Sequence, residues 1–157
     1  MGESTKAYTF SQFCEKARKY CAYQERCHKE LRNKLFELGA DSELVEQVIA
    51  KMIEENFLNE ERFAKAFAGG KFRQKQWGKN KIIQELKMRQ ISPYCIKIAL
   101  MEIPDDDYMA TLRKEVEKRN GLKKNINNRY VLHKIAKQLV SKGFESDMVW
   151  KVLLSEV

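Results

Sequence analysis

The side chains able to do chemistry in this 157-residue sequence are few and badly placed for catalysis. His28 and His133 are the two histidines, each in a Lys-dense helical stretch with no Ser or Asp partner at motif spacing. Both are expected at a surface or boundary. Cys14, Cys21, Cys27 and Cys95 are separated by six, five and 67 residues, whereas structural zinc sites bring two thiolates to one ion through CxxC-like pairs. Reduced thiols acting as small core hydrophobes are expected instead. Asp105-Asp106-Asp107 offers three carboxylates, but consecutive residues on a helix point in different directions and suit the positive end of the helix dipole better than a divalent cation. Gly69-Gly70 matches neither a P-loop nor a GxGxxG turn after a strand, and predicts a kink or a close helix contact. These residues predict a chain that is not an enzyme and holds no cofactor and no metal.

The chemistry that remains is electrostatic. Thirty Lys and Arg stand against 22 Asp and Glu, a net charge of +8, and the excess is unevenly placed. From Lys65 to Arg89 eight basic residues face the single acid Glu85, and from Arg113 to Lys142 ten face Glu115 and Glu117. Between Asp41 and Glu61 the balance reverses to seven acids and one Lys. The first basic segment interleaves aromatics with its cations: Phe67, Lys71, Phe72, Arg73, Lys75, Trp77, Lys79 and Lys81. Cations neutralise phosphates and release counterions while aromatic faces stack on unpaired bases, so this pattern suits single-stranded nucleic acid or a nucleoprotein. A solvated basic face over a core containing Phe67 and Phe72 gives the same pattern. Trp77 precedes Gly78 at an interhelix turn, which favours a surface position. The polar run Lys123-Lys124-Asn125-Ile126-Asn127-Asn128-Arg129 reads equally as a phosphate-fastening loop or a solubilising linker.

The elements that must position these side chains are helices. Seven Gly and two Pro in a chain rich in Lys, Glu, Leu, Ala, Arg and Gln predict an all-α fold, and no alternating apolar run with hairpin turns supports a sheet. The helices repeat. Leu31 and Leu35, then Leu44, Val45, Val48 and Ile49, recur 51 residues on as Ile82, Leu86, Cys95, Ile96, Ala99 and Leu100. A further shift of 53 gives Ile135, Leu139, Met148, Val149, Val152 and Leu153. Because any two amphipathic helices can be slid into partial match, the turns carry independent weight. Gly39-Ala40-Asp41, Gln90-Ile91-Ser92 and Gly143-Phe144-Glu145 present a Gly suited to a left-handed position in two copies, then one apolar residue, then an N-cap Asp or Ser in two. Pro93 follows Ser92 where a missing N–H costs nothing. A further helix precedes each pair, beginning near Ser11, Asn59 and Asp105. The expected architecture is three tandem three-helix repeats in an elongated, curved array, with residues 1–10 flexible and repeats at 11–57, 58–103 and 104–157.

Three phrases carry a family resemblance. Glu30-Leu31-Arg32-x-Lys34-Leu35 before Gly39, then Asn56-Phe57-Leu58-Asn59-Glu60-Glu61-Arg62-Phe63-Ala64-Lys65-Ala66-Phe67, then Gly78-Lys79-x-Lys81-Ile82-x-x-Glu85-Leu86 closely resemble the RecX family of bacterial recombination regulators. The likeness runs from about Phe13 nearly to the end, with the middle phrases the most specific. It implies tandem three-helix repeats, no enzymatic activity, and binding to the RecA recombinase and its filaments on single-stranded DNA, most often inhibiting ATP hydrolysis and strand exchange. The sequence departs from regularity at Gln90, where flanking copies have Gly, and at the acidic start of the third repeat.

Glu60, Glu61 and Phe63 lie in the most specific phrase, but capping and packing explain them. Charge density instead nominates Lys71, Arg73, Lys75, Trp77, Lys79 and Lys81 for contact with DNA or the filament, with Arg26, Lys29, Lys123, Lys124 and Arg129 as a second set. Two other readings compete: an adaptor for an acidic protein surface that never touches nucleic acid, and a helix-turn-helix protein reading duplex DNA. No apolar run reaches a membrane span of about 20 residues, and Met1 to Thr9 lacks a signal-like apolar region. A monomer in the cytoplasm, away from membranes, is expected.

Overall fold

Helices form where a cap meets the apolar period. The computed structural model describes residues 8–120 and 128–155. They form α1 (Phe10–Tyr23), α2 (His28–Glu37), α3 (Ser42–Glu54), α4 (Glu60–Lys75), α5 (Lys79–Met88), α6 (Pro93–Leu100), α7 (Asp105–Asn120), α8 (Arg129–Ser141) and α9 (Ser146–Ser155), with no strand among the described residues. Thr9 and Gln12 make a reciprocal capping box, so α1 starts one residue ahead of Ser11. Asp41, Asn59 and Ser92 accept backbone N–H groups at the starts of α3, α4 and α6. α4 continues unbroken through Gly69-Gly70; a Cβ on the buried Gly69 would meet only the flexible end of the Arg73 side chain, one turn on in the same helix, and one on Gly70 would meet nothing.

The helices pack as α1–α3, α4–α6 and α7–α9. The repeat columns supply the interior: Leu31, Leu35, Ile82, Leu86, Ile135 and Leu139 are all buried. The turns repeat as closely as the columns. Gly39, Gln90 and Gly143 all have positive φ, at 97°, 61° and 106°. In each, the next residue donates to the carbonyl five positions back: Ala40 to Leu35 at 3.0 Å, Ile91 to Leu86 at 3.1 Å and Phe144 to Leu139 at 3.1 Å. That residue is buried in all three. Gln90 thus adopts the conformation its flanking copies meet with Gly. The third N-cap position differs, since the Glu145 carboxylate accepts the phenolic O–H of Tyr108.

The two junctions between repeats use the same elements with different chemistry. In both, the start of one repeat's second helix meets the following repeat's second turn. Gly78 caps α5 with no side chain, and repeat 3 serves the orphan donors. Gly78 N–H reaches the Lys142 carbonyl at 2.9 Å, Lys79 N–H the Tyr108 hydroxyl at 3.0 Å, and Asn80 N–H the Gly143 carbonyl at 2.9 Å. A Cβ on Gly78 or Gly143 would fall well inside contact distance of the opposing backbone. At the first junction the equivalent positions are Cys27 and Gln90, and side chains do the joining. Lys29 Nζ donates to the Met88 carbonyl at 2.9 Å, and Arg62 holds Glu25 at 2.6 Å and the Asn56 carbonyl at 3.0 Å. A cleft of about 240 Å³ lined by His28, Arg32, Glu60 and Gln90 opens at this junction. Repeats 2 and 3 accordingly share one hydrophobic core, while repeat 1 keeps its own and contributes only Cys27 to the other.

Two stability changes follow. Gly78→Ala inserts a methyl group between two backbones and should cost about 2–3 kcal/mol in urea unfolding. Gln90→Gly removes a left-handed side-chain penalty and should add about 1 kcal/mol. Equal stability of Gly78→Ala and the parent chain would mean that the close approach does not hold the repeats together.

Candidate nucleic-acid interface

Trp77 is aimed by the end of α4. Gln76 takes the left-handed conformation at φ 53°, and Gln76 and Trp77 donate to the Phe72 and Lys71 carbonyls at 3.0 and 3.3 Å. This closes the helix and turns the indole back over it. The ring lies edge-on to Phe67, centroids 6.2 Å apart. Cations surround the pair. Lys81 Nζ sits 4.6 Å and Lys71 Nζ 5.1 Å from the indole centroid, and the Arg89 guanidinium lies 4.6 Å from the Phe67 ring. Ring quadrupoles attract these cations without neutralising them, an effect of about 0.5–1 kcal/mol at exposed sites. Neither Lys71 nor Lys81 is in an ion pair among the described residues, whereas Arg89 bonds Glu85 at 2.9 Å and approaches Glu30 at 4.0 Å. The result is a partly buried aromatic pair flanked by two ammonium groups that no ion pair among the described residues engages.

Of the six residues nominated first, the fold brings together Lys71, Trp77 and Lys81. Lys79 faces the other way, 3.7 Å from Asp105 and 4.6 Å from the Tyr108 ring, at the junction with repeat 3. Arg73 and Lys75 are exposed on the last turn of α4, with the Arg73 guanidinium lying back against Gly69. In the second set, Arg26 is engaged within repeat 1: its guanidinium stacks 3.8 Å from the Tyr20 ring, its Nε donates to the Tyr20 carbonyl at 3.0 Å, and its side chain is only 13% exposed. Lys29 bridges to repeat 2 as described, and Arg129 is exposed at the start of α8. Lys123 and Lys124 lie outside the described residues. Phe72 is core, packed 5.9 Å from Tyr108, but Phe67 is half-buried and belongs to the interface. Arg89 also joins it, through a tertiary contact that no local spacing signals. Tyr20, Tyr23 and Arg26, at three-residue intervals, were the legible sign of a further stack.

Elsewhere the reactive groups are quiet. All four cysteines are buried and free, and burial pushes Cys21 and Cys27 up to about 11, holding them as thiols at neutral pH. Half-burial pulls His28 below its ordinary value, and His133 lies edge-on to Trp150 at 4.9 Å. Burial opposes ionisation of Glu115, but hydrogen bonds from Arg119 and Lys142 outweigh it and hold the carboxyl below its usual range. Among the described residues no three His, Cys, Asp or Glu side chains converge as metal ligands, and no helix is long and apolar enough to cross a membrane.

Comparison with known proteins agrees with this architecture along the whole array. The models of the first, second and third three-helix domains of RecX match residues 15–52, 59–100 and 105–153. Regulatory protein RecX of Clostridium perfringens is 33% identical over 124 residues, which cover 78% of this chain and 58% of that protein. The Halorhodospira halophila protein of the same name is 32% identical, covering 82% of this chain and 78% of its own. The chain spans 51–58% of the length of the Clostridium and Bacillus pumilus relatives. The crystal structure of RecX from Lactobacillus salivarius superposes with a TM-score of 0.82 at 23% identity, covering 93% of this chain and 95% of that one. With three consecutive domain models matched in order and a relative above 30% identity, the chain belongs to the RecX family of regulatory proteins.

Proposed function

We propose that the chain regulates a RecA recombinase by binding RecA and its filament on single-stranded DNA, lowering ATP hydrolysis and strand exchange without catalysing a reaction itself. It acts as a monomer in the cytoplasm. One observation carries the nucleoprotein part: the partly buried Trp77 ring lies beside Lys71 and Lys81, which form no ion pair among the described residues. Such a site pairs phosphate attraction with a stacking face, which a filament threaded by a single strand presents and a simple acidic protein surface does not. The regulatory name of the relatives supports the choice of RecA as partner.

The test is RecA ATPase on single-stranded DNA with increasing amounts of the purified chain. Inhibition is expected from the parent. The Lys71→Glu, Lys75→Glu, Lys81→Glu triple variant should need at least about tenfold more protein for the same effect. Its log–log salt slope should be shallower by about 2, near 0.7 per lost phosphate contact. No effect of the parent chain at any concentration would refute RecA as the target, and an unchanged triple variant would remove these cations from the interface.

A further inference from the structure

The Trp77 site has counterparts in the other two repeats. In the register set by the buried columns, Trp77 stands five residues ahead of Ile82. The residues five ahead of Leu31 and Ile135 are Arg26 and Tyr130. All three are flat, π-faced side chains at the entrance to the second helix. In repeat 1 the Arg26 guanidinium lies over two tyrosine rings, 3.8 Å from that of Tyr20 and 5.9 Å from that of Tyr23, and Tyr23 is 83% exposed. In repeat 3 the Tyr130 ring is 78% exposed, at the second position of α8.

Each counterpart carries cations. Lys16, Lys19 and Lys34 line the surface beside Tyr20 and Tyr23, with Lys34 Nζ 5.8 Å from the Tyr20 ring. Lys19 and Lys34 reach Glu15 and Glu37 only at 4.0 Å, the limit of an ion pair. Arg129 and Lys134 are exposed, one residue before and four residues after Tyr130, with Lys134 holding the position that Lys81 holds in repeat 2. Both junctions join the start of one repeat's second helix to the following repeat's second turn, and the three positions stand at the starts of those second helices. A ring with flanking cations recurring once per repeat matches a polymer that itself repeats a base and a phosphate; an acidic protein surface has no such period.

We propose that Tyr23 on Arg26, Trp77 and Tyr130 form a ladder of stacking platforms, one per repeat, on which successive stretches of a single DNA strand lie with their phosphates against the neighbouring lysines and Arg129. This deepens the Trp77 reading above and extends the interface to repeats 1 and 3. It also makes single-strand contact a property of the chain without RecA.

The test is fluorescence anisotropy of a labelled oligothymidylate of about 30 nucleotides with the full chain and no RecA. Tyr23→Ala, Trp77→Ala and Tyr130→Ala should each weaken binding about tenfold, as loss of base stacking does, with the salt slope unchanged because neutral rings release no counterions. The Phe variants should keep most of the affinity. A strand of the same length with abasic sites should bind as weakly as the triple Ala variant binds oligothymidylate. Tyr23 and Tyr130 are exposed, so their Ala variants keep the parent's thermal melt by circular dichroism. Parent-like affinity of the triple Ala variant, equal binding of the abasic strand, or displacement by polyglutamate as effective as by unlabelled oligothymidylate would each overturn the ladder. A chain that inhibits RecA yet ignores oligothymidylate overturns the ladder and leaves the RecA reading standing; one that binds through the three rings with no effect on RecA does the reverse.

Discussion

The contact between Gly78 and Gly143 governs how the molecule is divided. Two backbones approach so closely that neither glycine has room for a methyl group, and the approach lets repeat 3 satisfy the bare amino end of α5 through Lys142, Tyr108 and Gly143. An unserved helix end buried at a junction costs about 1–3 kcal/mol per orphan group. The hydrogen bonds and the close packing therefore stand or fall together. Once they form, Phe72, Tyr108 and Phe144 stack in sequence, with centroids 5.9 and 5.4 Å apart, and the interiors of repeats 2 and 3 merge. Where Cys27 and Gln90 replace the glycines, side chains span the junction and the two interiors exchange only Cys27 and Leu58.

The same contact sets the candidate site. Trp77 immediately precedes Gly78, so its main chain is pinned on one side by the end of α4 and on the other by repeat 3. Lys81, one turn further along α5, keeps a fixed offset from the indole as a result. Lys79 between them is drawn to Asp105 and Tyr108. Alternation of roles along Trp77-Gly78-Lys79-Asn80-Lys81 follows from helical geometry: successive residues are turned by about 100°, and one face is committed to the junction.

Much of this was legible in the sequence because it rests on local or periodic rules. The all-helical content came from composition, the register from columns now buried at Leu31, Ile82 and Ile135, and the shared turn from Gly39 and Gly143. That Gln90 adopts the same left-handed turn shows the register to be sound even where the residue type breaks the pattern. What stayed hidden depends on contacts between distant segments. Arg89 reaches Phe67 through tertiary packing, and Lys79 leaves the basic face for a neighbouring repeat's acid. Arg26 is consumed by Tyr20 and Glu30. Charge counting treats every cation in a segment alike, and only the fold tells which of them already has a partner.

That distinction bears on what a net charge of +8 means for recognition. Ion pairs such as the bidentate, part-buried Arg18–Glu55 and the exposed Arg32–Glu46 fall mostly in repeat 1, where acids are plentiful, and the exposed ones are worth little to stability. Their effect is to neutralise Arg18 and Arg32 locally, whereas Lys19 and Lys34, whose carboxylates stand 4.0 Å away, keep more of their charge. Lys71 and Lys81 lean on rings instead, and a ring attracts a cation while leaving its charge intact. A partner bearing phosphates therefore experiences the cations held by aromatics far more strongly than those held by carboxylates. The placement of aromatic rings, more than the number of lysines, decides where a polyanion settles on this scaffold.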